Sequence, residues 1–403
     1  MTTVPTLIAL LTVVFAFSDS QVGSRVRQLA MADAWRLLVW PMLLWFVVCL
    51  FLGVWHLGFA RKTFPENAFR ISLILFVLAL PVRINSKKWW SYGLVFGGLG
   101  VASDVAYDYW LADAYWHRIS GTTNHPIHFG NFSCLLAVML LTMVLLNREV
   151  KNKQRLIFVG AAILACVGVV ASMTRSSLLV FFCLVPLLWL PKADLLHKWA
   201  TRITAALTML CVVFVLVSPQ IQQKLRITEV KTDIELTFEG NYQSSIGTRL
   251  SMWQAAWLMW EESPLLGIGP SKFQGKYGEM VLNRTVPMGD LIHNQPHNDI
   301  LHAASSGGVL KLMSYVFLIA GPYTFFYRRY KKFRFDFDKR VFPIMGMQVV
   351  AAFFITGLTN SNFDLQIYST MYAVLVCVLA KLTVFEINEA EPTKPLDPTA
   401  LSH

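Results

Sequence analysis

The sequence predicts an all-α polytopic membrane protein with about 11–12 transmembrane helices and one large extracytoplasmic loop that contains amphipathic helices. Three observations carry this. Of 403 residues, 55% are apolar and 15% charged, where a soluble domain carries roughly 25% charged; the mean hydropathy is +0.50. Apolar runs long enough to cross about 30 Å of hydrocarbon as helices recur along the chain. One long hydrophilic stretch, 219–306, interrupts them. A soluble enzyme, a disordered chain and a secreted disulfide scaffold are excluded.

Apolar runs place spans near 4–18, 36–59, 69–84, 90–106, 126–147, 155–173, 176–191, 203–218, 307–327, 341–358 and 365–385. The first is expected to be retained, because no basic segment precedes it and no small-residue cleavage site follows. Cys49, Cys134, Cys166, Cys183, Cys211 and Cys377 all lie in apolar runs, so they are expected to pack as small hydrophobes between helices.

Basic residues orient the spans. The segment 148–155 holds Arg148, Lys151, Lys153 and Arg155, and 328–340 holds seven Lys and Arg residues. Both are expected on the cytoplasmic side, with 107–125, the tip at 174–175, 219–306 and 359–364 outside. The chain then divides into N-terminal spans (1–218), an outer loop (219–306), C-terminal spans (307–385) and a cytoplasmic tail (386–403). These basic loops account for most of the +11 charge, so no nucleic-acid partner is implied.

The outer loop has 7 Lys and Arg against 9 Asp and Glu, and loops of that length usually carry function. Within it, Arg249, Trp253, Ala256, Trp257 and Trp260 fall on one helical face. That stripe suits a helix at the membrane interface, with the tryptophans expected to pack against the spans. Ser263-Pro264 ends the helix and Gly267-Ile268-Gly269-Pro270 forms a turn.

Arg175, in Met173-Thr174-Arg175-Ser176-Ser177, has apolar spans on both sides and almost no loop between them. An arginine held so near the membrane is costly without a partner or water, which makes it a functional candidate; a side chain snorkelling to the headgroups is the plainer alternative. Arg249 is a second outward arginine. Two guanidiniums would suit a phosphate or diphosphate, which they pair bidentately without losing charge. In His293-Asn294-Gln295-Pro296-His297-Asn298-Asp299, Asn294 is expected to cap a helix with Pro296 in its first turn. His297 would then be a neutral base near a helix N-terminus; a histidine that only hydrogen-bonds at the helix start is the plainer alternative. Metal binding by His293 and His297 is disfavoured because Pro296 breaks the register. Arg118, His125 and His128 add polar groups at the mouth of the fifth span, either lining a site or packing the loop. There is no Walker sequence, nucleotide-binding glycine fingerprint or nucleophile elbow. Asp336-Phe337-Asp338 is best explained by salt bridges to Arg334, Lys339 and Arg340.

The order of three motifs, TRSSLL at 174–179, GTRLSMWQAAW followed by SPLLGIGPSKF in the outer loop, and PHNDILHAASSGGVLKL leading into the next span, resembles the O-antigen ligase and polymerase superfamily. Within it the similarity is to the O-antigen ligases of lipopolysaccharide assembly. The resemblance implies a GT-C-like glycosyltransferase of the bacterial inner membrane with its site facing the periplasm. It implies metal- and cofactor-free, inverting transfer of a glycan from undecaprenyl diphosphate to a lipid A–core sugar. Arg175 and Arg249 would hold the donor diphosphate and His297 would serve the acceptor hydroxyl, with Arg118, His125 and Asn298 as further substrate contacts. A polymerase, a protein O-glycan transferase and, from another class, an anion transporter are the competing readings.

Overall fold

A computed structural model describes residues 33–58, 64–73, 86–111, 118–147, 150–185, 218, 227–333, 336 and 338–390. The spans expected at 4–18 and 203–218, most of 69–84, the end of 176–191 and the last residues of the tail lie outside them. Among the described residues the chain is all α-helical, a polytopic membrane architecture. Its helices are α1 (Trp40–Leu57), α2 (Glu66–Leu73), α3 (Ser86–Ala106), α4 (Pro126–Leu146), α5 (Asn152–Ala171), α6 (Arg175–Leu184), α7 (Ile227–Phe238), α8 (Ser245–Glu262), α9 (Phe273–Leu282), α10 (Asp299–Lys332), α11 (Val341–Gly357) and α12 (Gln366–Ala390).

Among the described residues, five segments are long and apolar enough to cross a membrane: Arg36–Leu57, Pro126–Leu146, Asn152–Ala171, Asp299–Lys332 and Gln366–Val384. Helices α6 and α11 are shorter apolar helices. Helix α3 has the length to cross, but Lys87, Lys88, Asp104 and its glycines dilute its hydropathy. Helix α4 is the axis of the bundle, packed against α3, α5, α6 and α11. Its apolar residues are buried nearly all round, which is the pattern of a helix shielded from lipid by its neighbours.

Basic side chains close one end of the bundle. Arg155 is buried and donates to the carbonyls of Val144 (2.5 Å), Asn147 (2.9 Å) and Val150 (3.2 Å). It thereby neutralises the open, negative end of α4. At the same end, Lys339 pairs with Asp336 at 2.9 Å, as the sequence suggested, while Arg340 donates instead to the Phe333 carbonyl at 2.6 Å. The opposite end gathers the turn between α5 and α6, the start of α10 and the turn between α11 and α12.

Helix α10 is broken. Gly308 has φ 61° and ψ −159° inside it, so backbone groups on either side lose their helical partners. The segment after α8 supplies them: the Val309 N–H donates to the Pro264 carbonyl (2.8 Å), that of Leu310 to Leu265 (3.4 Å), and that of Ile268 to Ser305 (2.9 Å). Irregular backbone within a membrane-spanning helix is tolerated only when protein satisfies it. The turn expected at 267–270 is therefore a plug fitted into the helix break. Glycine is required for the contact, because a Cβ on Gly267 (φ +66°) would sit 2.3 Å from the Gly307 nitrogen. Gly267→Ala is expected to destabilise the protein by about 2–5 kcal/mol, the cost of a left-handed alanine plus overpacking. A lowered unfolding midpoint in detergent would show it; an unchanged midpoint would contradict the plug.

Candidate functional site

Only residues 172–174 separate α5 from α6, so the hairpin is as tight as its sequence suggests. It is pressed onto α4 at Gly130, where a Cβ would lie 2.3 Å from Ser172 Oγ. A line of hydroxyls anchors it. Ser172 Oγ meets Thr174 Oγ1 at 3.0 Å, Thr174 bonds Ser177, and Ser177 Oγ donates to Asn131 Oδ1 at 2.9 Å. Asn131 in turn donates to the Tyr368 hydroxyl at 2.9 Å, linking α6 through α4 to α12. Met173 takes a left-handed φ of 48°, and Arg175 opens α6 half-buried.

Arg249 comes from the first turns of α8, which Ser244 caps by accepting from the Gly247 N–H at 3.1 Å. The packed stripe of α8 is Met252, Ala255, Ala256 and Met259, set against Phe273, Tyr277 and Met280 of α9. Small residues and flexible methionines fit this close approach; of the three tryptophans expected to pack against the spans, Trp253 and Trp260 are half-buried and Trp257 is 49% exposed. Trp253 instead donates its indole N–H to the Pro296 carbonyl at 3.1 Å. Thr248 receives the Asp290 N–H at 2.9 Å, and Ser251 bonds the Pro287 carbonyl. These contacts lay the 286–297 segment along α8 and bring its histidines towards Arg249.

The start of α10 differs from the sequence reading. Its cap is Asn298, whose Oδ1 accepts from the N–H groups of Ile300 (3.0 Å) and Leu301 (3.1 Å). Asn294 and Pro296 precede the helix in irregular backbone. Asn298 also donates to the Leu358 carbonyl at 3.3 Å, so its amide serves the helix start and the α11–α12 turn. His297 therefore sits one residue before the cap, with φ 49°. A non-glycine residue in that region is uncommon and worth a functional question. His302 and Asp364 pair at 2.7 Å, fastening the first part of α10 to the same turn.

Arg118 donates to the Ser172 carbonyl at 3.3 Å, and the Ile119 N–H donates to that of Ala171 at 3.2 Å. The 118–125 segment is thus tied to the Arg175 hairpin. His125 caps α4, its Nδ1 accepting from the Ile127 N–H at 3.3 Å, and its ring lies 4.5 Å from that of His128.

These segments converge electrostatically. Burial, and then the positive charge of Arg175, hold the Arg249 guanidinium below the ordinary arginine range. Burial also lowers His297; the hydrogen bond with Asn360 opposes this, and the charges of His293, Arg249 and His125 reinforce it. Burial followed by Arg118 lowers His125. Asp290 is held below the usual carboxylate range: burial would raise it, but the His293 hydrogen bond and others outweigh that. Arginines and neutral imidazoles drawn from distant parts of the chain thus share one cationic region. It can hold an anion with several oxygens and accept a proton beside it.

Sequence reasoning missed Asn360, the Pro296 partner of Trp253 and the fit of the 267–270 turn into the helix break, because these partners are distant along the chain or are backbone atoms. The recurring left-handed residue beside each segment, Asn124, Met173 and His297, leaves no mark in composition.

Residues 160–316 match the family model described as O-antigen ligase. The matched segment contains Arg175, Arg249 and His297 and runs from α5 across the break in α10. No curated protein matches the chain.

Proposed function

We propose, for a membrane protein whose 160–316 segment is O-antigen ligase-like and falls in the ligase/polymerase superfamily of glycosyltransferase-like enzymes, that the chain is the ligase itself. Such enzymes join a lipid-linked glycan to a lipid acceptor. In this reading the donor is a glycan on undecaprenyl diphosphate, the acceptor a sugar hydroxyl of lipid A–core, and the site faces the periplasm of the bacterial inner membrane. The basic end of the bundle, opposite Arg175, supports that orientation under the positive-inside rule.

The observation that carries the reading is that Arg249 lies within electrostatic reach of both Arg175 and His297, which come from separate segments of the chain. In the reaction the acceptor oxygen attacks the anomeric carbon as the bond from that carbon to the diphosphate oxygen breaks. The hydroxyl proton passes to His297, and the lipid diphosphate leaves with the bonding electron pair. One displacement inverts the anomeric centre. Arg175 and Arg249 stabilise the charge that grows on the leaving diphosphate, and two membrane-held substrates bring the orientational gain. His125 and Arg118 would flank the substrates.

Purified protein in liposomes with the lipid-linked glycan is expected to glycosylate lipid A–core in the presence of a chelator. Product only with added metal would defeat the two-arginine reading. Product only on a second lipid-linked repeat, or only on a peptide, would move the assignment to a polymerase or a protein glycan transferase.

A further inference from the structure

We propose that Asn360, aligned by Asn362, is a positioning residue that keeps the proton of neutral His297 on Nδ1 and leaves Nε2 as the basic nitrogen. The inference rests on the reading of His297 as the base and adds which atom acts and what aims it.

The direction of the chain of bonds can be worked out from its far end. Asn362 Nδ2 lies 3.0 Å from the Phe353 carbonyl oxygen and 2.7 Å from Thr356 Oγ1. A carbonyl oxygen only accepts, so that end of Asn362 must be its NH2 group. Thr356 agrees, because its own hydroxyl lies 2.8 Å from the Ala352 carbonyl and 3.2 Å from that of Phe353. Its hydrogen goes to one of them, and its lone pairs are left to accept. With Asn362 so oriented, its Oδ1 faces Asn360 and accepts from Asn360 Nδ2 at 3.3 Å. The remaining end of Asn360 is then Oδ1, 3.4 Å from His297 Nδ1. Against an acceptor, that ring nitrogen carries the hydrogen.

The opposite tautomer would need both amides turned over. Asn362 Oδ1 would then face the Phe353 carbonyl, acceptor against acceptor; the Thr356 hydroxyl could rotate to relieve its contact, but the carbonyl cannot. Asn360 is 7% exposed and Asn362 fully buried, and unmade buried hydrogen bonds are costly. The whole chain hangs from the last turns of α11 and the turn after it, which Asp299 and His302 fasten to α10: the Phe363 N–H donates to Asp299 Oδ1 at 3.4 Å, and His302 meets Asp364.

A neutral amide also suits the surroundings. His297 faces Arg249 from α8, His293 at a ring distance of 5.3 Å from its own segment, and His125 from the 118–125 segment. Among these groups an amide fixes the tautomer while favouring the protonated ring less than a carboxylate would. An aspartate in its place would fix the same tautomer but favour imidazolium.

Nitrogen-15 spectra of histidine-labelled protein in nanodiscs, with His297 assigned by its absence from His297→Gln, read the tautomer without donor or acceptor. The wild type is expected to show hydrogen on Nδ1 and a bare Nε2. Asn360→Asp is expected to keep that pattern and move the His297 titration, with the acid limb of the transfer-rate profile, upward by about 1–3 pH units. Asn360→Leu is expected to populate the other tautomer and slow transfer by on the order of 10²–10⁴-fold. A wild-type spectrum with hydrogen on Nε2, or an Asn360→Asp protein whose His297 titration does not move, overturns the proposal. If the expected spectrum appears but His297→Gln still transfers glycan, the tautomer assignment is supported and the base reading fails instead.

Discussion

Arg249→Ala is expected to lower glycan transfer by about 10²–10³-fold, the usual cost of removing one preorganised donor from a developing anion. The protein should still insert in the membrane. The reason lies in placement. Arg249 is held where burial and Arg175 both work against its charge, and a multiply charged anion between the two guanidiniums would relieve that opposition. One turn further along the helix, the indole of Trp253 fixes the Pro296 carbonyl at 3.1 Å, so the guanidinium is presented on a tethered helix and not on a free loop. The packed core of α8 against α9 is formed by Met252, Ala255, Ala256 and Met259 and does not include Arg249, so folding should survive the change. Arg249→Lys should recover only part of the rate, since an ammonium cannot form the bidentate pair. Measured rates in liposomes with lipid-linked glycan decide this. An Arg249→Ala protein within about threefold of wild type would remove the clamp, given the expected loss above.

His297→Ala is expected to slow transfer by about 10²–10⁴-fold, the range for a lost general base, and to change the pH profile. The sign follows from the geometry. Burial and the neighbouring positive charges outweigh the Asn360 hydrogen bond and place His297 below the ordinary histidine value of 6.5. A base works when neutral, so the wild-type rate should stay on its plateau below pH 6.5 and fall only as the pH drops through the lowered value. The alanine variant should lose that acid limb and keep only a slow residual rate. Stability carries the same sign. The unfolded chain takes up the proton near its ordinary value and the native site resists it, so the His297 contribution is present above pH 6.5 and is lost as the pH falls below it. An acid limb that persists unchanged in the His297→Ala protein would assign it to another group, with His125 and His293 nearest.

The membrane character of the chain was legible because it depends on composition and run length, which need no partners. The tight turn before Arg175 was legible for the same reason: two apolar runs almost touch in sequence, and only 172–174 are left to connect them. Local rules were less dependable at the start of α10. Asn294 with Pro296 two residues on is a sound capping signal, yet Asn298 took the cap, because its amide could satisfy both Ile300 and Leu301 and also reach Leu358. The helix face of α8 misled in a similar way. Three tryptophans on one stripe suggested packing, but the buried residues that α8 sets against α9 are small residues and methionines.

By itself the sequence determined that the chain is helical, membrane-embedded and equipped with arginines and histidines in the segments that join its apolar runs. Those properties are carried by residue type and short spacing, and they survive whatever the rest of the chain does. The tertiary structure alone decided that Arg118, His125, Arg175, Arg249, His293 and His297 share one electrostatic region, that a glycine plug completes a broken helix, and that Asn360 stands against His297. Each of these is a contact between segments tens to hundreds of residues apart. Such a contact leaves no periodicity for a sequence to show, because its energy resides in backbone shape and close approach and not in the pattern of neighbouring side chains.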